Sequence, residues 1–268
     1  MGLLLLLGGG SRPRGILDTY SGAAGAYSVR LLRQAYSGAA MRVRRSSDNA
    51  ETDIGFLDNG DLNTSALTAF CGAGNGFVTT WYDQTTNGKN AVQASTTAQP
   101  QIVSSGSLIT EGGKVALQFD GTNDGMMTGI TALTSGTSTS VFHVAKTSDT
   151  VGVFYWGNNN SRWFYYLQSG SSSTTISDRF SVASAFKNGS SQTITTPGNW
   201  FTAYGDGVRH VSSVFGSVVL NDWTDFGWCN YPTVEMSANI QEIILYTSSQ
   251  TGNRTAIESN INTYFGVY

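Results

Sequence analysis

Hydrophobic and polar positions alternate along most of this chain in short runs. Residues 41–45 (MRVRR) place apolar side chains at every second position, as a strand with one buried face requires. Residues 76–83 (GFVTTWYD) read as a stronger strand, β-branched and aromatic, closed by Thr86, Asn87 and Gly88. Residues 114–120 (KVALQFD) alternate up to a Gly-rich turn at 121–125. Further strands are expected at 138–146, 152–156, 163–168, 179–186, 200–204, 210–215 and 217–220. Their spacing of roughly ten residues suits a sandwich or barrel. Residues 238–246 (ANIQEIILY) predict a closing strand with a mostly buried face.

Three segments carry a helical period instead. Residues 24–36 place Tyr27, Leu31 and Leu32 on one side and predict a helix ending before Ser37 and Gly38. Residues 62–72 predict a short helix capped by Asn63 or Thr64, and Ser249 caps a predicted helix running to Tyr264. The pattern as a whole predicts an all-β jelly-roll sandwich with short helices near the N-terminus and a C-terminal capping helix. Residues 1–15 read as an extended apolar, Gly-rich arm and residues 16–268 as a single domain.

Composition sharpens this picture. Charged residues make up 12% of the chain and glycine contributes 32 residues, so Ser, Thr, Asn and Gln carry much of the surface polarity. A net charge of −3 gives no nucleic-acid footprint. Cys71 and Cys229 permit one disulfide without arguing for it, and with His143 and His210 as the only histidines no zinc spacing exists. Leu3, Leu4, Leu5, Leu6 and Leu7 are too few to span a bilayer, which takes about 20 apolar residues, and they lack the flanks of a signal peptide. They read as an arm held by the protein's own body or by a neighbouring subunit.

Charge is densest at 30–45, where Arg30, Arg33, Arg42, Arg44 and Arg45 precede the acids Asp48, Glu51, Asp53, Asp58 and Asp61. Arg44, Arg45, Asp48, Asn49, Asp83 and Gln84 read as a structural polar network, because charges survive burial when paired and hydrogen-bonded. A calcium ion near Asp83 and Asn87, or near Asp120, Asn123 and Asp124, is the one cofactor these turns could hold; otherwise none is expected. Trp156, Trp163, Tyr165, Trp223 and Trp228 are the candidates for stacking on a glycan or meeting a partner protein, since consecutive aromatics on a strand cannot all face the core.

The FDGTND block at 119–124, followed by IQEIILY at 240–246 and a last helix, resembles the concanavalin A-like, laminin-G-like jelly roll. The blocks YSVR at 27–30, RRSSDN at 44–49 and WYDQ at 81–84, with Asn87, Gly88 and Asn90, resemble the N-terminal part of the catalytic domain of family 54 α-L-arabinofuranosidases. Bacteriophage proteins with a similar opening and a Leu-rich arm share the pattern. The enzyme resemblance implies a nucleophilic Glu on an inner strand just after the 119–124 block and a second carboxylate further on, a pair that retaining hydrolysis holds about 5–5.5 Å apart. Residues 138–145 (STSVFHVA), at that position, hold no acid, and the adjacent cysteine pair of those enzymes is missing. The nearest acids are Glu111, Asp124 and Asp149; Asp178, Asp206, Asp222, Asp225, Glu235 and Glu242 come later.

On this basis the sequence predicts no enzyme. It predicts a structural component of a bacteriophage virion, a capsid decoration or cement protein or a tail-associated one, located on the particle. Its expected partners are the major capsid protein or other virion proteins, further copies of itself, and a host glycan, with no nucleic acid and no membrane. A carbohydrate-binding module and an arabinofuranosidase-like glycoside hydrolase are the alternatives.

Overall fold

The structure is a computed structural model that describes residues 12–131, 133–157, 162–171, 180–219, 227–229 and 235–268, without the side chains of 156–157 and 162–166. Its main elements in chain order are β1 (Ala23–Ser28), β2 (Met41–Arg45), β3 (Glu51–Ile54), α1 (Thr64–Cys71), β4 (Gly76–Trp81), β5 (Gln101–Ser104), β6 (Leu117–Asp120) and β7 (Ser138–Lys146). Then follow β8 (Val151–Gly157), β9 (Arg162–Gln168), β10 (Phe180–Lys187), α2 (Pro197–Tyr204), β11 (His210–Val218), β12 (Ser237–Tyr246) and α3 (Arg254–Phe265).

Strand β12 organises the first layer. One of its edges pairs antiparallel with β7, from Ser140↔Tyr246 to Lys146↔Asn239. The other edge is shared, with β1 along its C-terminal half (Ser28↔Glu242) and β6 along its start (Leu117↔Ile240). Beyond β7 the ladder continues through β11 to β10. The second layer runs β3, β2, β4 and β5, and short bridges at 91–92, 126–127 and 227–228 carry it on to β8 and β9. The fold is therefore an all-β sandwich with few short helices, as the periodicity predicts.

The layers meet on large side chains. Tyr27 of β1 packs between Trp81 of β4 and Trp228, with ring centroids 6.1 and 5.2 Å away, and all three are fully buried. Almost every residue of β12 is buried, and Ile257, Ile261 and Phe265 of α3 belong to the same hydrophobic core. No helix among the described residues is long and apolar enough to cross a membrane.

Two expected elements change type. Residues 24–36 do not form a helix: Ala23–Ser28 is a strand on the edge of β12, with a bulge between Ala23 and Gly25. Pairing with a long apolar strand outweighs the local helical period, and Leu31 and Leu32 are then buried from a loop. Backbone bonds from Leu31 N–H to the Gly60 carbonyl and from Leu32 N–H to Gln84 Oε1 (both 2.8 Å) hold that loop. Residues 200–204 lie in α2 instead of a strand. Thr196 Oγ1 accepts from Asn199 N–H at 3.1 Å and Asn199 Oδ1 from Thr196 N–H at 3.0 Å, with Pro197 at the first helical position.

Smaller differences are also instructive. The strand expected at 114–120 breaks at Ala116, and the two expected at 210–215 and 217–220 run on as β11 up to Val218. The last helix starts at Arg254 after a 3-10 turn, not at Ser249. Asn63 caps α1 as expected, its Oδ1 accepting from Ala66 N–H at 3.0 Å. Cys71 and Cys229 are both buried free thiols. The Leu3–Leu7 arm lies outside the described residues.

Candidate functional site

The polar residues singled out at the start of the chain are held by hydrogen bonds to near and distant partners. Arg44 donates to Gln99 Oε1 (2.7 Å), Asn49 Oδ1 (2.8 Å) and the Thr96 carbonyl (3.0 Å), and lies over the Phe77 ring. Arg45 grips Asp48 with two bonds of 2.7 and 2.8 Å on the surface, which holds the Asp48 carboxyl down at about 2. Asp83 accepts from Ala26 N–H, Thr85 N–H, Thr85 Oγ1 and Lys89 N–H. Gln84 donates to the Arg30 carbonyl at 2.9 Å while its Oε1 receives Leu32. These two side chains thus tie the 83–90 turn to β1 and the loop after it. Asp83→Ala leaves four donors without their acceptor and should cost about 3 kcal/mol in a urea titration, with Asp83→Asn recovering part of it.

Glu242, the acid on the closing strand, is structural. It is fully buried, receives Arg30 through two bonds of 2.7 and 3.0 Å, and accepts from Ser28 Oγ at 2.7 Å. Lys146 claims Glu111 at 3.1 Å, and Ser237 N–H claims Asp149. Asp178, Asp222 and Asp225 lie outside the described residues.

One pair of carboxyl groups opens into a cleft of about 360 Å³ beside β5 and β6. Asp120 ends β6 and is exposed; Asp124, four residues on across the Gly121 turn, is 6% exposed. Asp120 N–H donates to Asp124 Oδ2 at 3.0 Å and fixes the second carboxyl in place. Burial, reinforced by the charge of Asp120, raises Asp124 to about 7. Gln99, Gln101, Gln118 and Thr97 line the rest of the cleft, and Arg44 anchors Gln99 from behind. A carboxyl that holds its proton near neutrality can give and take a proton there. The sequence points to Asp120 and Asp124 as a turn. The surrounding amides come from β5, the residues just before it and β6, which no local motif connects.

A second cluster is closed. His143 of β7 and His210 of β11 have ring centroids 5.5 Å apart because Ala145 pairs with His210 across the ladder. Tyr155 Oη and His143 Nδ1 are 2.8 Å apart, and Phe154 stacks on the His143 ring at 4.7 Å. Burial pushes both histidines down, His210 to about 4, so both are neutral. Two histidines 67 positions apart give no sequence signal of this contact. Among the described residues no three His, Cys, Asp or Glu side chains gather as a metal site.

The aromatic candidates divide. Trp228 is fully buried against Tyr27 and Trp81, so it has no ring face for a glycan or a partner. Its backbone pairs with both Met126 and Tyr155, which places it inside the second layer. Trp156 lies on β8 and Trp163 and Tyr165 on β9, with side chains outside the description, as is all of Trp223.

These features define an all-β sandwich with a polar cleft and a carboxyl pair at a sheet edge. The family model for the catalytic domain of alpha-L-arabinofuranosidase B matches residues 18–154, just over half of the chain. The chain belongs to that family. An alpha-L-arabinofuranosidase of Hypocrea jecorina is 39% identical over 67 residues, 25% of this chain and 13% of that protein. A crystal structure of an arabinofuranosidase complexed with arabinofuranosyl-alpha-1,2-xylobiose superposes with a TM-score of 0.63 at 17% identity, covering 92% of this chain and 64% of the other. A GH54 arabinofuranosidase soaked with a cyclic sulfate inhibitor gives 0.59 at 16% identity, with the same coverage. The chain thus spans somewhat less than two thirds of those structures.

These matches overturn the expectation of a non-enzymatic virion protein. The capsid, cement and tail roles and the location on a particle fall with it, since the family and its relatives are arabinofuranosidases. The missing acid at 138–145 misled because carboxylates around a sugar are gathered by tertiary structure, so one strand without an acid does not decide the chemistry.

Proposed function

We propose that this chain is an arabinofuranosidase-like glycoside hydrolase domain that removes α-L-arabinofuranosyl groups from a glycan. The family match over 18–154 carries the reading, and the sandwich shared with arabinofuranosidase structures supports it. Among the described residues Asp124 is a carboxyl whose surroundings suit a proton donor, its proton held first by burial and then by the neighbouring Asp120. The glutamines around them would orient sugar hydroxyls.

The test is turnover of 4-nitrophenyl α-L-arabinofuranoside and of an arabinofuranosyl-substituted xylo-oligosaccharide by the folded chain. Absence of both activities sinks the hydrolase reading. The assignment of Asp124 is tested separately with Asp124→Asn. A lost proton donor should cost about 10²–10⁴-fold in kcat on the oligosaccharide, whose leaving group needs the proton, and much less on the nitrophenyl substrate. The limb of the pH profile near 7 should vanish with it. Equal kcat for the variant and the parent on the oligosaccharide removes Asp124 from the mechanism and leaves the family reading intact.

A further inference from the structure

Most described cations in this chain are engaged. Arg30, Arg42, Arg45, Lys146, Lys187 and Arg254 pair with carboxylates. Arg12, Arg44 and Arg209 donate hydrogen bonds, and Lys114 lies 4.0 Å over the Tyr264 ring. Among the described residues Arg14 has no such partner but is exposed; Arg33 and Lys89 are different. Among the described residues neither side-chain cation has a carboxylate, carbonyl or ring partner, and both are half-buried. They face the same place in the fold. Arg33 lines a pocket of about 180 Å³ and Lys89 an adjoining one of about 420 Å³, and the two pockets share Gly22, Ala23 and Asn87.

No Asp or Glu lines either lobe. The two nearest in sequence are spent: Asp83 accepts four donors, and Asp18 Oδ2 takes the N–H groups of Gly15 (2.7 Å) and Gln34 (2.8 Å). The lining supplies hydroxyls instead. Ser21 and Thr86 in the smaller lobe, and Thr131 and Thr247 in the larger, make no side-chain bond to the described residues. The double cleft therefore keeps two uncommitted cations and four uncommitted hydroxyls in a protein whose net charge is −3. An unpaired guanidinium among hydroxyls offers one carboxylate a bidentate contact and leaves the hydroxyl donors for a sugar ring. With a single cation in each lobe, the site suits monoanionic groups set apart along a chain better than a phosphate, which would draw converging cations.

We propose that the Arg33–Lys89 cleft binds a carboxylate-bearing saccharide, a glycan carrying uronic acid residues. The proposal rests on the hydrolase reading for the presence of a sugar and extends it by naming an acidic substrate backbone. The cleft shares no lining residue with the Asp120–Asp124 cleft, so binding and hydrolysis are separable. Calorimetric titration of the full chain with a glucuronosyl-xylotriose and with its carboxyl-reduced form tests it, and turnover of the nitrophenyl arabinofuranoside is followed in parallel.

The acidic saccharide should bind saturably, at least tenfold tighter than the reduced form, and weaken as salt rises. Arg33→Gln should lose at least tenfold in affinity and Lys89→Gln a smaller factor, with nitrophenyl turnover unchanged in both. Equal affinity for the reduced form, no saturable binding, or parental affinity in both variants overturns the proposal. So does displacement of the saccharide by sulfate at equal concentration, which marks a general anion site. Saturable binding by the parent chain without any turnover counts against the hydrolase reading alone.

Discussion

Glu242→Gln should destabilise the domain by about 3–5 kcal/mol, the largest effect expected of any single conservative substitution here. The guanidinium of Arg30 is 8% exposed and the Glu242 side chain 0%, so the pair has been taken almost wholly out of water. The amide keeps the shape of the carboxylate but loses its charge and one of its two acceptors. Arg30 then stays a buried cation that among the described residues meets only neutral partners: the remaining amide oxygen, Asn260 Oδ1 at 2.9 Å, and the Tyr264 and Phe265 rings. Arg30→Met errs in the other direction and leaves the Glu242 carboxyl buried without its cation. The pair itself contributes little net stability once its desolvation is counted, so Arg30→Met/Glu242→Leu should be far milder than either single change. Urea titration of the three variants decides between these accounts. If the double variant is as unstable as the sum of the singles, the energy lies in packing around the two side chains and not in the unpaired charge.

Acid should unfold the domain through its buried histidines. An unfolded histidine titrates near 6.5, whereas burial holds His210 at about 4 and pushes His143 well below its ordinary range. Between those values the unfolded chain binds more protons than the folded one. Stability is therefore lost as pH falls from about 6.5 towards 4, on the order of 3 kcal/mol for His210. Asp124 acts with the opposite sign. Its carboxyl is raised to about 7, so the folded state takes up that proton first and gains stability as pH falls towards the ordinary carboxylate range. Partial exposure of the group to solvent reduces that effect. Urea midpoints at pH 7, 5.5 and 4.5 separate the two. His210→Phe, which also removes the unpartnered Nε2, should flatten the acid loss, and Asp124→Asn should steepen it. An unchanged slope in His210→Phe would show that the acid sensitivity lies elsewhere.

The site was legible in part. Arg44, Arg45, Asp48, Asn49, Asp83 and Gln84 lie in two short stretches of sequence, so residue type and density singled them out, but partners such as Gln99, Ala26 and Leu32 come from distant positions. Asp124 was visible as an acid in a turn, but its retained proton comes from burial and from Asp120, and burial is a property of the folded molecule. Trp228 shows the limit from the other side. Its Gly and Asn neighbours in sequence suggest a surface loop, yet the two-residue bridge at 227–228 draws it against Tyr27 and Trp81.

By itself the sequence determined the all-β class, the positions of most long strands, the Asn63 cap and the covered closing strand, because alternation, caps and turn residues act over a few positions. Tertiary structure alone decided that Ala23–Ser28 is a strand on β12, and that His143 faces His210. It also decided that Arg30 reaches Glu242 over 212 positions and that two uncommitted cations share one cleft. Each of these depends on which strands become neighbours. Antiparallel pairing sets that at long range, through the burial of apolar faces from distant parts of the chain, and no local pattern records it.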